Sequence, residues 1–207
     1  MVKLILVRHG LTTYNKLKIY QGQYDSPLDE MGYLQADITA EHIARTYQVD
    51  VIYASDLSRT VKTAAPTAKL LGLPVETTEA FREIDVGHWA NRKIADVQAE
   101  FPDEVRAYRE DPGTFHFPGG EDFSNVFVRA EGKLREIAAK HDGKTVLIFT
   151  HGGIIRALLT RWNGLPIERM REIKPVPNTA ITVAEYDGET VKLLLQMDNS
   201  HLPEDMK

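Results

Sequence analysis

Apolar and β-branched residues recur along the chain in five short runs. The runs cover 3–8, 50–55, 73–78, 145–150 and 179–186, and this length and composition predict strands. Between them, apolar residues spaced three and four apart predict four helices, at 29–48, 57–71, 122–140 and 153–163. Strands therefore alternate with helices, which is typical of an α/β fold.

Two of the predicted strands are apolar at every central position. Leu4–Val7 and Val146–Phe149 contain no polar residue, so we expect both faces of these strands to be covered. This pattern predicts a three-layer sandwich with a mostly parallel sheet flanked by helices. A length of 207 residues, with no linker rich in Pro, Gly or Ser, predicts a single domain over 1–207.

Polar residues follow the predicted strands at the positions where an α/β fold binds ligands. In such sheets ligands lie beyond the carboxyl ends of the strands. Arg8 and His9 end the first strand, Arg59 follows the second, and His151 follows the strand at 145–150. Glu83 lies just beyond the short strand at 73–78. We therefore expect a site at this edge of the sheet.

The segment 87–121 differs from the rest of the chain because its apolar residues follow no clear period. It contains Trp89, Asp111–Gly113 and Phe115–Gly120, with one helix predicted near 93–100. We expect it to be largely irregular and to form a lid that sets substrate specificity.

Composition removes several classes of function. The chain has no cysteine, which excludes a thiol nucleophile and a disulfide framework. A net charge of −5 without a basic cluster argues against nucleic-acid binding. The apolar run before Arg8 is too short for a signal peptide or a membrane span, so we expect a cytoplasmic protein without a membrane partner. No histidine pair has metal-ligand spacing, and we expect neither a metal nor another cofactor.

The residues at the strand ends suggest anion chemistry. His9 and His151 each follow an apolar strand and precede a glycine, which permits close approach of a ligand to the backbone. Arg59 falls in the first turn of a helix that Ser55 or Asp56 would cap, and a bound anion would offset its charge there. Polar strand ends and a solvated arginine are the simpler alternatives.

The combination of motifs resembles the histidine phosphatase superfamily, the phosphoglycerate mutase-like fold, over nearly the whole chain. The matching blocks are Leu6–Asn15, Gln21–Gly22, Tyr53–Thr60, Phe81–Asp85, Pro118–Glu121 and Thr150–Gly153. No single block is specific, but their order and spacing together are.

The resemblance implies a mechanism and a role for each site residue. His9 would be the nucleophile that becomes phosphohistidine, and Glu83 the proton donor. The phosphoryl oxygens would be held by Arg8, Arg59 and His151. Further substrate contacts would come from Asn15, Gln21, Gly22 and Gly152. For attack, one ring nitrogen of His9 must be unprotonated, so we expect a backbone carbonyl to hold the proton on the other.

Three functions remain open on this fold: a phosphatase, a cofactor-dependent phosphoglycerate mutase, and a phospho-ligand binding or scaffold protein. Family mutases carry an insertion after the proton donor, whereas Ile84–Gly87 here continues directly to Trp89. This favours metal-independent hydrolysis of a small phosphorylated metabolite. His88 and Ala90–Asn91 depart from the family pattern, which bears on substrate contacts rather than on the chemistry.

Overall fold

A computed structural model describes residues 1–207 and contains one six-stranded sheet. The strands are β1 (Val2–Arg8), β2 (Val51–Ser55), β3 (Val75–Thr78), β4 (Thr145–Thr150), β5 (Ile181–Tyr186) and β6 (Val191–Asp198). Their order is β3-β2-β4-β1-β5-β6, in which the first four are parallel and β5 and β6 are antiparallel to their neighbours. The predicted mostly parallel sheet is confirmed. Strand β6 was not predicted, because Leu193–Leu195 interrupts the alternation of polar and apolar residues.

Seven α-helices surround the sheet. They are α1 (Thr13–Leu17), α2 (Glu30–Thr46), α3 (Ser58–Leu71), α4 (Ile94–Glu100), α5 (Pro102–Glu110), α6 (Phe123–Lys140) and α7 (Gly152–Trp162). The four long helices predicted from apolar spacing are confirmed as α2, α3, α6 and α7, and the helix near 93–100 is α4. None of the helices is both long and apolar enough to span a bilayer.

Two apolar cores lie on opposite faces of the sheet. Leu4, Leu6, Val146 and Ile148 point into the larger core, which also contains apolar residues of α6 and α7. The intervening residues Ile5, Val7, Leu147 and Phe149 point into a smaller core with residues of α2 and α3. Because side chains alternate across a strand, a continuously apolar strand serves both cores. The three-layer sandwich is confirmed.

Strand register brings the predicted site residues to one edge. Strand β4 lies between β1 and β2, with Arg8 paired to Thr150 and Ala54 paired to Phe149. The His9 backbone N–H then donates to the Thr150 carbonyl at 2.9 Å. His9, Ser55 and His151 therefore meet beyond the carboxyl ends of three adjacent parallel strands.

The segment 87–121 is more regular than its sequence suggests. The expectation of irregular structure is wrong over 102–110, which forms α5. Pro102 is its first residue, a position where the missing N–H has no helical partner to lose. Trp89 is fully buried and packs against Tyr20, Tyr108 and Phe117. An aromatic cluster thus anchors the segment to the larger core; its role as a lid stays a prediction.

Two glycines allow the start of α2 to approach the loop after β1. A Cβ atom on Gly32 would lie 2.0 Å from the Leu11 carbonyl oxygen, and one on Gly10 would lie 2.5 Å from the Gly32 oxygen. Both neighbours are backbone atoms, so neither contact can be relieved by a side-chain rotation. The loop that carries His9 is therefore held in place by backbone packing.

We expect Gly32→Ala to lower the free energy of unfolding by about 1–3 kcal/mol, because the new methyl group forces the two backbones apart. Urea unfolding followed by circular dichroism measures the change. Gly132→Ala in α6 is the matched control, since a Cβ atom there meets nothing within 4 Å. Equal stability of Gly32→Ala and the wild type would show that this close approach carries no strain.

Candidate active site

A cavity of about 260 Å³ opens at the carboxyl ends of β1 and β4, beside the first turn of α7. Eight of the nine predicted site residues line it: Arg8, His9, Asn15, Gln21, Gly22, Arg59, Glu83 and Gly152. The ninth, His151, is fully buried beneath the cavity. The predicted site residues therefore lie together at one cavity.

His9 is buried and its ring is fixed by a backbone carbonyl. Its Nδ1 lies 2.8 Å from the Gly10 carbonyl oxygen, and since a carbonyl only accepts, Nδ1 carries the proton. The expected carbonyl partner is thus confirmed, and Nε2 keeps its lone pair. Burial, followed by the charges of Arg59 and Arg8, holds the pKa of His9 well below its usual range. The imidazole is therefore neutral at pH 7.

The loop around His9 is tied to three parts of the fold. The Gly10 N–H donates to Thr63 Oγ1 of α3 at 3.0 Å, and the Leu11 N–H donates to Gln35 Oε1 of α2 at 2.8 Å. Asn178 Nδ2 donates to the His9 carbonyl at 3.0 Å. These bonds fix the imidazole before any ligand arrives.

Arg59 is fully buried and is oriented by backbone carbonyls. Its Nη1 donates to the Tyr24 oxygen at 2.9 Å and its Nη2 to the Gly22 oxygen at 2.7 Å. Burial lowers its pKa to about 10, which leaves the guanidinium charged at pH 7. Nη1 and Nη2 together carry four N–H groups. The two carbonyls accept from two of these, and the other two N–H groups can donate to a ligand.

Arg8 supplies a second guanidinium to the same cavity. Its Nη1 donates to the Val176 carbonyl at 2.5 Å, while its Nε is buried without a hydrogen-bond partner. A buried donor without an acceptor is costly. Because Arg8 lines the cavity, a bound oxyanion there would compensate its charge.

Glu83 places a carboxyl group opposite these cations. Its Oε1 accepts from the Ile84 N–H at 2.9 Å, and its Oε2 accepts from the Gly153 N–H at 3.0 Å. A Cβ atom on Gly153 would lie 2.2 Å from Oε1. The absence of a side chain at Gly153 is therefore what lets the carboxyl group sit against α7.

Two side-chain amides present free donors to the cavity. Asn15 Oδ1 accepts from the Thr12 N–H at 3.2 Å, and Gln21 Oε1 accepts from Ser26 Oγ at 2.5 Å. The protein thus donates to both amide oxygens. The NH₂ groups of the two side chains have no acceptor in the protein. Both amides are thus oriented to donate to an anion.

His151 lies behind Arg59 and does not line the cavity. Its Nδ1 accepts from Arg59 Nε at 3.2 Å, so its Nε2 carries the proton and donates to Ser55 Oγ at 2.9 Å. Its ring centroid is 5.3 Å from that of His9. Burial and the Arg59 charge hold the pKa of His151 well below its usual range. A direct contact from His151 to a phosphoryl oxygen stays a prediction.

The expected capping of α3 by Ser55 or Asp56 is wrong. Leu57 occupies the cap position without a side-chain bond, and Asp25 Oδ1 instead accepts from the Ser58 N–H at 2.9 Å. Ser55 is engaged by His151, and Asp56 pairs with Arg82. The capping carboxylate comes from a distant loop, which local sequence does not reveal.

Other cavity residues were missed or misplaced by sequence reasoning. Arg156 and Tyr108 line the cavity but were not predicted as site residues for it. The position of Arg156, one helical turn after Gly152, could have indicated it. Phe117 of the segment 87–121 also lines the cavity, whereas Arg92 of the same segment pairs with Glu100.

A family model described as histidine phosphatase superfamily (branch 1) matches residues 4–199. The chain belongs to this superfamily. It is 36% identical over 169 residues to phosphoserine phosphatase 1 of Hydrogenobacter thermophilus, covering 82% of this chain and 80% of that one. It is 30% identical over 205 residues to phosphoglycerate mutase-like protein 4 of Arabidopsis thaliana, covering 98% and 87% respectively.

Solved structures of the superfamily share the whole fold. Bacillus stearothermophilus YhfR superposes with a TM-score of 0.92 at 29% identity, covering 97% of this chain and 99% of that one. The mycobacterial glucosyl-3-phosphoglycerate phosphatase Rv2419c, solved with VO3, gives a TM-score of 0.86 at 30% identity, covering 94% and 98%. The fold is therefore phosphoglycerate mutase-like, and the superfamily and its named members support a phosphatase.

The buried histidines predict how stability depends on pH. A histidine whose pKa is lower in the folded than in the unfolded chain stabilises fully above about pH 6.5, and that stability is lost as the pH falls below this value. We expect the free energy of unfolding to decrease between pH 7.5 and 5.5. This decrease should be smaller by about 1 kcal/mol in His9→Asn, because the variant lacks one histidine that takes up a proton on unfolding.

Urea unfolding at the two pH values measures the difference. His88→Asn, at an exposed position outside the cavity, is the matched control and should retain the wild-type pH dependence. An unchanged pH dependence in His9→Asn would mean that His9 titrates alike in the folded and unfolded chains.

Proposed function

We propose that this protein hydrolyses a small phosphate monoester without a metal ion, through a phosphohistidine on His9. The proposal rests on the hydrogen bond from His9 Nδ1 to the Gly10 carbonyl, which leaves Nε2 unprotonated. His9 shares the cavity with Arg8, Arg59 and Glu83. A neutral imidazole among fixed cations is suited to attack an anionic phosphorus centre. One relative of 34% identity is named a metal-independent phosphoserine phosphatase of Arabidopsis thaliana.

In the first step, the His9 Nε2 lone pair forms a bond to phosphorus as the ester P–O bond breaks. Glu83 gives its proton to the departing alkoxide, which leaves as an alcohol. In the second step, a water molecule loses a proton to the Glu83 carboxylate and attacks the phosphohistidine. The P–N bond breaks, inorganic phosphate leaves, and His9 and protonated Glu83 are restored.

The cationic side of the cavity would stabilise the transferring group. A phosphoryl transition state spreads charge over its equatorial oxygens, and prepositioned donors stabilise it without reorganisation. Arg8 and Arg59 supply charged donors, and the free NH₂ groups of Asn15 and Gln21 supply neutral ones. We assign His151 to the same group of phosphoryl ligands, where its contact with Arg59 also orients that guanidinium.

The covalent mechanism predicts that His9→Ala lowers kcat by at least about 10³-fold, because His9 is the only histidine that lines the cavity. EDTA-treated protein would be assayed for phosphate release from a panel of monoesters, with 2- and 3-phosphoglycerate followed in parallel for interconversion. Alkaline quenching of a ³²P-labelled reaction should trap an acid-labile phosphoenzyme in the wild type but not in His9→Ala.

His88→Asn serves as the control and should behave as the wild type in both assays. Substantial turnover by His9→Ala would eliminate the covalent mechanism. Interconversion of the phosphoglycerates with little phosphate release would instead assign the protein as a mutase.

The acid role of Glu83 predicts a dependence on the leaving group. Glu83→Gln should reduce kcat/KM by about 10²–10⁴-fold for alkyl phosphates, whose alkoxides need a proton. The reduction should be much smaller for p-nitrophenyl phosphate, whose leaving group is a weak base. Steady-state kinetics with both classes of ester measure the difference.

Gly153→Ala tests the same role without altering the carboxyl group. The new methyl group displaces Glu83 Oε1, so this variant should share the leaving-group dependence of Glu83→Gln. Gly132→Ala is again the control. Equal losses for both ester classes in both site variants would exclude Glu83 as the acid for the leaving group.

A further inference from the structure

We propose that Arg156 and the hydroxyl groups of Tyr20 and Tyr108 form a second anion-binding subsite, which receives a carboxylate of the phosphate ester. This inference rests on the proposed function, since it adds a specificity determinant to the same cavity. None of the three residues belongs to the group that holds the phosphoryl end.

Unpaired arginines point to the subsite. Six arginines of the chain are buried or partly buried, and Arg82, Arg92 and Arg129 form ion pairs with carboxylates. The other three, namely Arg8, Arg59 and Arg156, form none, and all three line the cavity. Glu83 is the one carboxylate residue that lines the cavity, so the three guanidinium groups outnumber the negative charge there. A ligand with more than one anionic group would compensate the excess positive charge.

Arg156 is held so that part of its guanidinium remains free. Its Nε donates to the Ile173 carbonyl at 2.7 Å and its Nη2 to the Met170 carbonyl at 3.0 Å. Its Nη1 has no protein acceptor. A planar guanidinium that is held at Nε and Nη2 is well suited to bind a carboxylate through its free N–H groups.

Tyr20 and Tyr108 add two oriented hydroxyl groups. Both rings pack on Trp89, with centroids 5.1 Å and 5.8 Å away, and Tyr108 also packs on Phe117. Both residues line the cavity, yet neither hydroxyl has a hydrogen-bond partner in the protein. Burial raises the pKa of Tyr20 to about 12 and also raises that of Tyr108. Both hydroxyls therefore stay protonated and able to donate.

Helix geometry places the subsite near the phosphoryl group. Gly152 lies against Arg8 and Gly153 against Glu83, while Arg156 follows them at positions i+4 and i+3 of α7. Such residues share one helix face and lie about 5–6 Å apart. Arg156 therefore lies one helical turn from the glycines that contact Arg8 and Glu83, and its side chain lines the same cavity as those two residues.

Charge balance favours a carboxylate as the second group. The cavity contains three guanidinium groups, and Glu83 must be protonated to act as the acid. A phosphate monoester carries a charge of about −1.5 to −2, which leaves roughly one positive charge uncompensated. One carboxylate neutralises it, and a cavity of about 260 Å³ has room for an ester with a short carbon chain.

The experiment compares 3-phosphoglycerate with glycerol 3-phosphate, in which a hydroxymethyl group replaces the carboxylate. The wild type should prefer 3-phosphoglycerate in kcat/KM by about ten- to a hundredfold, the usual contribution of a charged hydrogen-bonded pair. Arg156→Met should remove most of this preference, chiefly through KM, because the contact is made equally in the ground and transition states.

Tyr20→Phe and Tyr108→Phe keep the packing of the rings and should each reduce the preference several-fold. Arg161→Met is the matched control, since Arg161 is an exposed arginine of the same helix, with a single hydrogen bond to the Leu165 carbonyl. It should retain the wild-type preference. Equal losses for both esters in Arg156→Met and in the two tyrosine variants would show a structural role and overturn the subsite.

Hydrolysis of p-nitrophenyl phosphate separates the two proposals. If the wild type hydrolyses this ester but shows no preference for 3-phosphoglycerate, the subsite fails and the phosphatase stands. If the wild type hydrolyses no ester, the phosphatase fails. In that event, equal calorimetric affinities of the wild type and Arg156→Met for 3-phosphoglycerate would overturn the subsite, and weaker binding by the variant would support it.

Discussion

The positive charges of Arg8 and Arg59 act on the buried imidazole of His9 in the same cavity, and neither arginine forms an ion pair. Backbone carbonyls of Gly22 and Tyr24 hold Arg59 in place of a carboxylate. Dipoles of this kind orient a cation without cancelling its charge. The positive field therefore stays available to a ligand, and burial together with this field keeps His9 neutral.

Maintaining this arrangement requires close backbone packing around it. The His9 loop touches α2 through Gly32, and the Glu83 carboxyl group touches α7 through Gly153. At both positions a methyl group would collide with atoms that the site needs in place. Fold stability and site geometry thus depend on the same contacts, so substitutions at these glycines should affect both.

The other end of the cavity, where we propose a carboxylate subsite, is built from aromatic packing and one arginine. There, the aromatic cluster around Trp89 fixes Tyr20 and Tyr108, and Arg156 projects from the face of α7 that also borders the phosphoryl end. The proposed carboxylate subsite thus combines Tyr108 of α5 with Arg156 of α7 and Tyr20 of the loop after α1. Helix α7 contributes to both ends of the cavity, because Gly153 contacts Glu83 and Arg156 lies one turn further along.

By itself, the sequence determined the layered α/β fold, four long helices, five of six strands, and the grouping of His9, Arg59 and Glu83 at one sheet edge. These features depend on hydrophobic period and on strand ends, which are local properties of the chain. Only the tertiary structure decided that Asp25 caps α3, that His151 lies behind Arg59, and that Arg156 reaches the cavity. Each of these depends on a partner distant in sequence, and such pairings follow from how the layers pack rather than from any local pattern.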